Sequence, residues 1–267
     1  MTSAEIDKQI ATAKQYPRDY QAVLANIKQL ATLDKEIAED CFYVLRRKDA
    51  SGADNIIEGL SVRFAEVVAS CWGNLRTGTR IVANNGKTIT AQAICHDLET
   101  NVARSMEISR RITTKSGKTF SEDMQVVTGN AASAIAFRNA VLSVIPKAFL
   151  KSIITEVKAM ALGQSIDVDQ RRQRMLDYFA KIGVSQEQIL NYLNLESVDQ
   201  IAEQELFQLG GTANAIKEGT TTVKETFIAP QEEKKANEKA EAAAKDNKAK
   251  AIEALAQATG MKPASEL

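Results

Sequence analysis

Between Leu75 and Phe149 the spacing of apolar positions changes from alternation to three- and four-residue steps, which predicts three strands followed by one amphipathic helix. The first strand candidate is Arg80-Ile81-Val82-Ala83, closed by Asn84-Asn85-Gly86-Lys87, a turn whose Asn and Gly residues tolerate positive φ. Thr88 to Leu98 runs back. Val102 to Thr113 alternates, with Val102, Arg104, Met106, Ile108, Arg110 and Ile112 on one face and Ala103, Ser105, Glu107, Ser109 and Arg111 on the other. One face is therefore apolar yet carries two arginines. Lys115-Ser116-Gly117-Lys118 forms a basic turn, after which Val127, Ala131, Ala134, Ile135, Arg138, Val141, Leu142 and Ile145 make one helical stripe ended by Pro146. That stripe is expected to cover the sheet.

Upstream, a polar segment runs to Tyr16-Pro17, and Tyr20, Val23, Leu24, Ile27 and Leu30 keep helical spacing. A second helix is expected to start at Asp34, bury Ile37, Cys41, Val44 and Leu45, and end in Arg46-Arg47-Lys48, cations suited to a helix C-terminus. Residues 49–54 read as a loop. A third helix from about Ser61 gathers Leu60, Phe64, Val67, Val68, Cys71 and Trp72, with Arg63 and Glu66 on another side.

Downstream, Ala148 to Leu162 is an apolar-basic helix stopped by Gly163. Short helices follow. Ser185 to Gln188, Ser197 to Gln200 and Thr222 to Glu225 match the capping-box pattern. From Gln231 to Lys250 there is no Val, Ile, Leu or aromatic residue, too little apolar surface to fold alone. The expected organisation is an α+β core with N-terminal helices over residues 1–165 and a small all-helical module over 166–228. Residues 229–267 form a disordered or transiently helical tail.

Composition refines this picture in three ways. A chain of 267 residues buries a real core, and no apolar run approaches the roughly 20 residues that span a bilayer. A polar N-terminus without a secretory signal points to the cytoplasm. Cys41, Cys71 and Cys95 lack paired spacing, as expected for buried thiols in a reducing compartment. Net charge is zero, but between residues 60 and 160 there are 13 Lys and Arg against 7 Asp and Glu, so the core is basic and its flanks acidic. A basic core suits a polyanion; a solvated face without a partner accounts for the same charges.

The motifs with specific chemistry are incomplete. Gly86-Lys87-Thr88 and Gly117-Lys118-Thr119 resemble the end of a phosphate-binding loop, but the required earlier glycine is replaced by Ile81 and Ile112, and both sites fall in strand-to-strand turns. His96, beside Cys95 and followed by Asp97 and Glu99, has no second histidine or Cys-x-x-Cys to complete a metal site, and reads as a strand-end histidine. Trp72 reads as core more readily than as a base-stacking platform. Phe137 lies off the helical stripe, so its exposure would bear on binding. Arg138 lies inside the stripe, where a guanidinium needs a carboxylate, carbonyl or phosphate.

Several blocks together carry a resemblance. Ala31-Thr32-Leu33-Asp34, Cys41-Phe42-Tyr43-Val44-Leu45, residues 57–66 (Ile-Glu-Gly-Leu-Ser-Val-Arg-Phe-Ala-Glu), Trp72-Gly73-Asn74, Cys95-His96-Asp97-Leu98-Glu99 and Ala136-Phe137-Arg138-Asn139-Ala140 resemble a phage and prophage protein family. We associate that family with the single-strand annealing recombination proteins, the group of RecT, Redβ, Erf and Sak. The likeness spans roughly residues 20 to 228, and its link to annealing rests on the β-β-β-α pattern and the Ala-rich helix with Arg138. It implies a non-enzymatic, ATP-independent protein without a cofactor. It also implies ring or filament oligomers that hold single-stranded DNA in a basic groove, with bases exposed for pairing. Partner recruitment, for example of a host single-strand-binding protein, falls to the C-terminal module in a bacterial cytoplasm. The DNA-binding candidates are Arg76, Arg80, Arg104, Arg110, Arg111, Lys115, Lys118, Phe137, Arg138, Lys147 and Lys151. The alternative is a non-catalytic oligomeric scaffold in a phage replication or assembly complex. A third reading, a nucleic-acid enzyme, would use Asp97 and Glu99. Charge excess is modest and aromatics are few, so DNA binding would lean on backbone charge more than stacking.

Overall fold

The computed structural model describes residues 3–48, 54–114, 116–163 and 167–230. The fold is α+β, with two separate antiparallel sheets set among helices. Three helices open the chain: α1 (Ser3–Gln15), α2 (Tyr20–Ala31) and α3 (Lys35–Asp40). Asp19 caps α2 by accepting from the Gln21 and Ala22 N–H groups, and Asp34 caps α3 by accepting from the Ile37 N–H at 2.8 Å.

The expected second helix is cut short. After Cys41 the chain turns into β1 (Phe42–Lys48), which pairs with β2 (Asp54–Leu60) from Phe42↔Leu60 to Lys48↔Asp54. Phe42-Tyr43-Val44 combines aromatic and β-branched residues, which suit a strand, and Phe42 and Val44 point inward at 2% and 1% exposure. The loop expected over 49–54 falls, except for Asp54, outside the described residues. The helix expected from about Ser61 is α4 (Val62–Trp72), and Ser61 caps it by accepting from the Phe64 N–H at 3.2 Å.

The three predicted strands are present; the first starts at Leu75, five residues before the expected Arg80, and the other two start where expected. They are β3 (Leu75–Asn84), β4 (Thr88–Asp97) and β5 (Val102–Arg111), in the order β3-β4-β5, with a bulge at Val82. Asn84 to Lys87 is the first turn, with Gly86 at φ 76°. Ser121 caps α5 (Glu122–Val144), a 23-residue helix that lies on the sheet, chiefly over β4 and β5.

The stripe by which α5 meets the sheet differs from the predicted one. Gly129, Ala132, Ala136 and Ala140 are buried together with Ile135 and Val141, whereas Val127 is 58% exposed. The sheet face beneath is equally small-featured, with Ala91, Ala93 and Cys95 at 0% exposure. Small residues on both sides let helix and sheet approach closely: a Cβ on Gly129 would sit 3.1 Å from Ile89 Cδ1.

Pro146 opens α6 (Lys147–Ala161), which packs on α2 and α3. Next come α7 (Val168–Lys181), α8 (Gln186–Leu193), a 3₁₀ turn at Val198–Gln200 and α9 (Glu203–Lys217). The Ser185–Gln188 capping box forms with both of its hydrogen bonds, and Gln200 accepts from the Ser197 N–H. The expected boundary near residue 165 does not divide the structure. Met1–Thr222 is one compact unit, because α9 packs across β1 and ion pairs join the α7–α9 region to α3. Phe207 stacks edge-on against Phe42 at 5.6 Å, and Asn214 Nδ2 donates to the Phe42 carbonyl at 3.0 Å. Arg171 binds Glu39 and Glu203, and Lys35 also binds Glu203 at 2.6 Å.

A second unit begins at Val223, with a π-helical turn at Lys224–Ile228. The expected tail, from residue 231 onward, lies outside the described residues. Among the described residues no helix is long and apolar enough to cross a membrane.

Candidate nucleic-acid interface

Strand register assigns every arginine of the three-stranded sheet to a face. Residues opposed across an antiparallel pair share a face, so the buried Ile89, Ala91, Ala93, Cys95 and Asp97 place Arg110, Ile108, Met106, Arg104 and Val102 on the side where α5 lies. The opposite face is not covered by α5. It carries Arg76 and Arg80 from β3 and Arg111 from β5, opposite His96, Gln92 and Thr88 of β4. Sequence alternation therefore grouped the β5 arginines correctly. It did not reveal that Arg104 and Arg110 stand on the helix side while Arg76, Arg80 and Arg111 share the open one.

The open face is polar and ordered across its strands. Arg80 donates through Nε and Nη2 to Gln92 Oε1 at 3.1 and 3.0 Å, and Gln92 Nε2 donates to Glu107 at 3.0 Å. Thr90 and Ser109 share a hydrogen bond of 2.8 Å, and His96 Nε2 meets Asn101 Oδ1 at 2.9 Å. Gln92 thus stands between Arg80 and the acid this face of β5 contributes. No carboxylate forms an ion pair with Arg76, Arg80 or Arg111 among the described residues.

One end of the sheet concentrates cations. The Ile112 N–H donates to the Lys87 carbonyl at 2.9 Å and Thr119 Oγ1 to the Gly86 carbonyl at 3.0 Å, which holds the β3-β4 turn against the loop before α5. Lys87, Arg111 and Lys118 are exposed there. Lys115 lies outside the described residues. From Arg76 to Arg111 the open face spans Thr88 to His96 of β4, about 27 Å at the ordinary strand rise.

The remaining candidates lie elsewhere. Lys147 and Lys151 are exposed on α6, in the helical layer. Phe137, expected off the stripe and accessible, is half-buried and packs against the core. Arg138 is 7% exposed, its Nη1 3.7 Å from Glu218 Oε2 and its guanidinium 4.8 Å from the Tyr43 ring centroid. The internal ion pair, not a groove, is where this side chain points, because the helix face that carries it turns into the protein. Glu218 in turn caps α4, accepting from the Val62 N–H at 2.8 Å.

The residues that suggested acid chemistry are committed to structure. Arg18 grips Asp97 with two hydrogen bonds of 2.6 and 2.7 Å, its Nε lies 3.0 Å from Glu99, and its backbone N–H donates to Glu99 at 2.9 Å. Trp72 Nε1 also donates to Asp97 at 3.2 Å, and Trp72 is 3% exposed, so it is core. Burial opposes ionisation of Asp97, but the Arg18, Trp72 and Thr100 hydrogen bonds outweigh it and hold the carboxyl below its ordinary pKa. Desolvation pushes the Cys41 thiol up to about 12 and that of Cys95 to about 11, which leaves both as inert core thiols. Nothing in the sequence marked Arg18 as the partner of Asp97.

Fold and surface together define an α+β protein that presents one uncovered, cation-bearing sheet face. No family model matches the chain, and comparison with curated proteins and with solved structures returns no match.

Proposed function

We propose that the protein binds single-stranded DNA and anneals it to a complementary strand without consuming a nucleotide, as a homo-oligomer in phage-type recombination. The observation that carries this reading is the open sheet face, where Arg76, Arg80 and Arg111 have no carboxylate in an ion pair among the described residues and Lys87 and Lys118 extend the positive end. A flat row of cations on a rigid sheet suits a phosphodiester backbone, which supplies charge at regular intervals and needs no deep pocket. Salt-sensitive binding of single strands, annealing of complementary oligonucleotides without ATP, and a native mass above that of one chain are the expected results. Failure of the chain to bind single strands at low salt ends the proposal.

In the same reading the protein works in the bacterial cytoplasm, and its C-terminal helices recruit a partner such as a host single-strand-binding protein. A second reading, an oligomeric interaction scaffold, draws on a different observation. Met124, Val126 and Val127 are 48%, 62% and 58% exposed on the first turns of α5, an apolar surface suited to protein contacts. Self-association without DNA binding would favour it.

A further inference from the structure

The open face of the sheet has a notch at Gly78. Arg76, Gly78 and Arg80 follow one another along β3 on this face and stand opposite His96, Ile94 and Gln92 of β4. A Cβ at residue 78 would meet no atom within 4 Å. Glycine there therefore neither relieves crowding nor serves a left-handed turn. In a strand interior it weakens the strand, and it commonly marks a place where a ligand or another backbone comes close.

The gap opens a depression of about 310 Å³, at the small end of the volumes that hold ligands. Ile94, 42% exposed, offers an apolar surface there. The His96 ring stands beside it, hydrogen-bonded to Asn101. Arg76 and Arg80 lie on either side of the gap, about 13 Å apart along the strand. Among the described residues no acid lines the depression.

We propose that the Gly78 notch receives one nucleotide of a bound single DNA strand, with its base or sugar on Ile94 and His96 and its flanking phosphates on Arg76 and Arg80. The assignment rests on the single-strand reading and adds to it a place and a mode of contact. Charge complementarity selects the occupant: two guanidiniums bracket a partly apolar floor, the order in which a nucleic-acid strand presents phosphate, base and phosphate.

The test is fluorescence anisotropy of labelled oligo(dT) with the full chain over a series of salt concentrations. Gly78→Val projects into the notch, where its Cβ meets nothing within 4 Å, and adds a residue that suits strands, so we expect it to fold as the parent does. It should lower affinity about tenfold, as expected for loss of one stacked unit, with an unchanged salt slope. Arg76→Ala/Arg80→Ala should reduce that slope by about 1.4, roughly 0.7 for each phosphate contact. If the parent binds in a salt-sensitive way and both variants match it, the notch is off the DNA path while the single-strand reading stands. If the parent does not bind, both fall together.

Discussion

Arg18 reaches 79 residues along the chain to grip Asp97 at two points, 2.6 and 2.7 Å, and so ties the segment before α2 to the end of β4. Both side chains are almost fully buried, at 2% and 4% exposure. Around them Tyr20, Trp72 and Phe149 pack edge to face with centroids 5.0 to 5.9 Å apart, which joins α2, α4 and α6 at one end of the three-stranded sheet. The pair makes the core dependent on one ionised carboxylate.

Acid should therefore loosen this end of the molecule. The folded pKa of Asp97 is depressed, so its contribution is present above the unfolded value of about 3.9 and is lost as pH falls through the lower folded value. Glu39 and Glu218, raised by burial, respond in the opposite sense. The Asp97 component is read as the difference in urea-unfolding free energy between the parent and Asp97→Asn from pH 3 to 7. That difference should shrink toward acid, and at pH 7 it should be about 3–5 kcal/mol, the cost of orphaning a buried charge. A difference that does not vary with pH would show that Asp97 acts through packing alone.

Arg138→Ala should cost stability and spare DNA binding. It leaves Glu218 buried without its cation, a loss of about 3 kcal/mol, while nothing on the open sheet face changes. Thermal unfolding and oligonucleotide affinity, measured on the same preparation well below the melting temperature, separate the two effects. An unaltered melting point with lost affinity would return Arg138 to the binding surface.

Adjacent glycines of α9 should respond in opposite directions. A Cβ on Gly211 would lie 2.5 Å from Val44 Cγ2 and 2.9 Å from the Val44 backbone nitrogen, so Gly211→Ala must push α9 off β1 and should cost about 1–3 kcal/mol. A Cβ on Gly210 meets nothing nearer than 3.8 Å. Gly210→Ala should gain about 0.5–1 kcal/mol from helix propensity. Chemical denaturation of both variants checks the contrast; equal effects would mean that α9 does not seat on β1 as described.

Truncation should distinguish the observed organisation from the one the sequence suggests. A chain ending at residue 165 loses α9, strips the cover from Phe42 and Val44, and leaves Glu39 without Arg171. We expect it to be insoluble or to unfold without cooperativity. A chain ending at Pro230 keeps the whole compact unit Met1–Thr222 and should melt within a degree or two of the parent. A soluble, cooperatively melting 1–165 fragment would restore the boundary near residue 165.

Local chemistry was legible wherever it depended on neighbours in the chain. Asp34, Ser61 and Ser185 cap the helices they precede because capping is a contact over three residues. The alternation of β5 is visible because a strand has a period of two. By contrast, Ile37, Cys41, Val44 and Leu45 fit a helix as well as a turn followed by a strand, and only pairing with Asp54–Leu60 across an intervening loop makes Phe42–Lys48 extended. The buried face of α5 was equally ambiguous. Almost every position of Ala131–Ala136 is apolar or small, so periodicity cannot choose among stripes, and the flat Ala91–Ala93–Cys95 surface selects the one with the smallest residues.

By itself, then, the sequence determined the caps at Asp34 and Ser185, the turn at Asn84–Lys87, the β-β-β-α order and the excess of positive charge between residues 60 and 160. Tertiary structure alone decided that Arg76, Arg80 and Arg111 share an uncovered face, that Arg138 turns inward to Glu218, that Arg18 holds Asp97, and that α9 completes the core. The reason is physical: caps and periodicities are energies between near neighbours, whereas which face is covered and which charge is paired depend on contacts between residues as many as 175 positions apart.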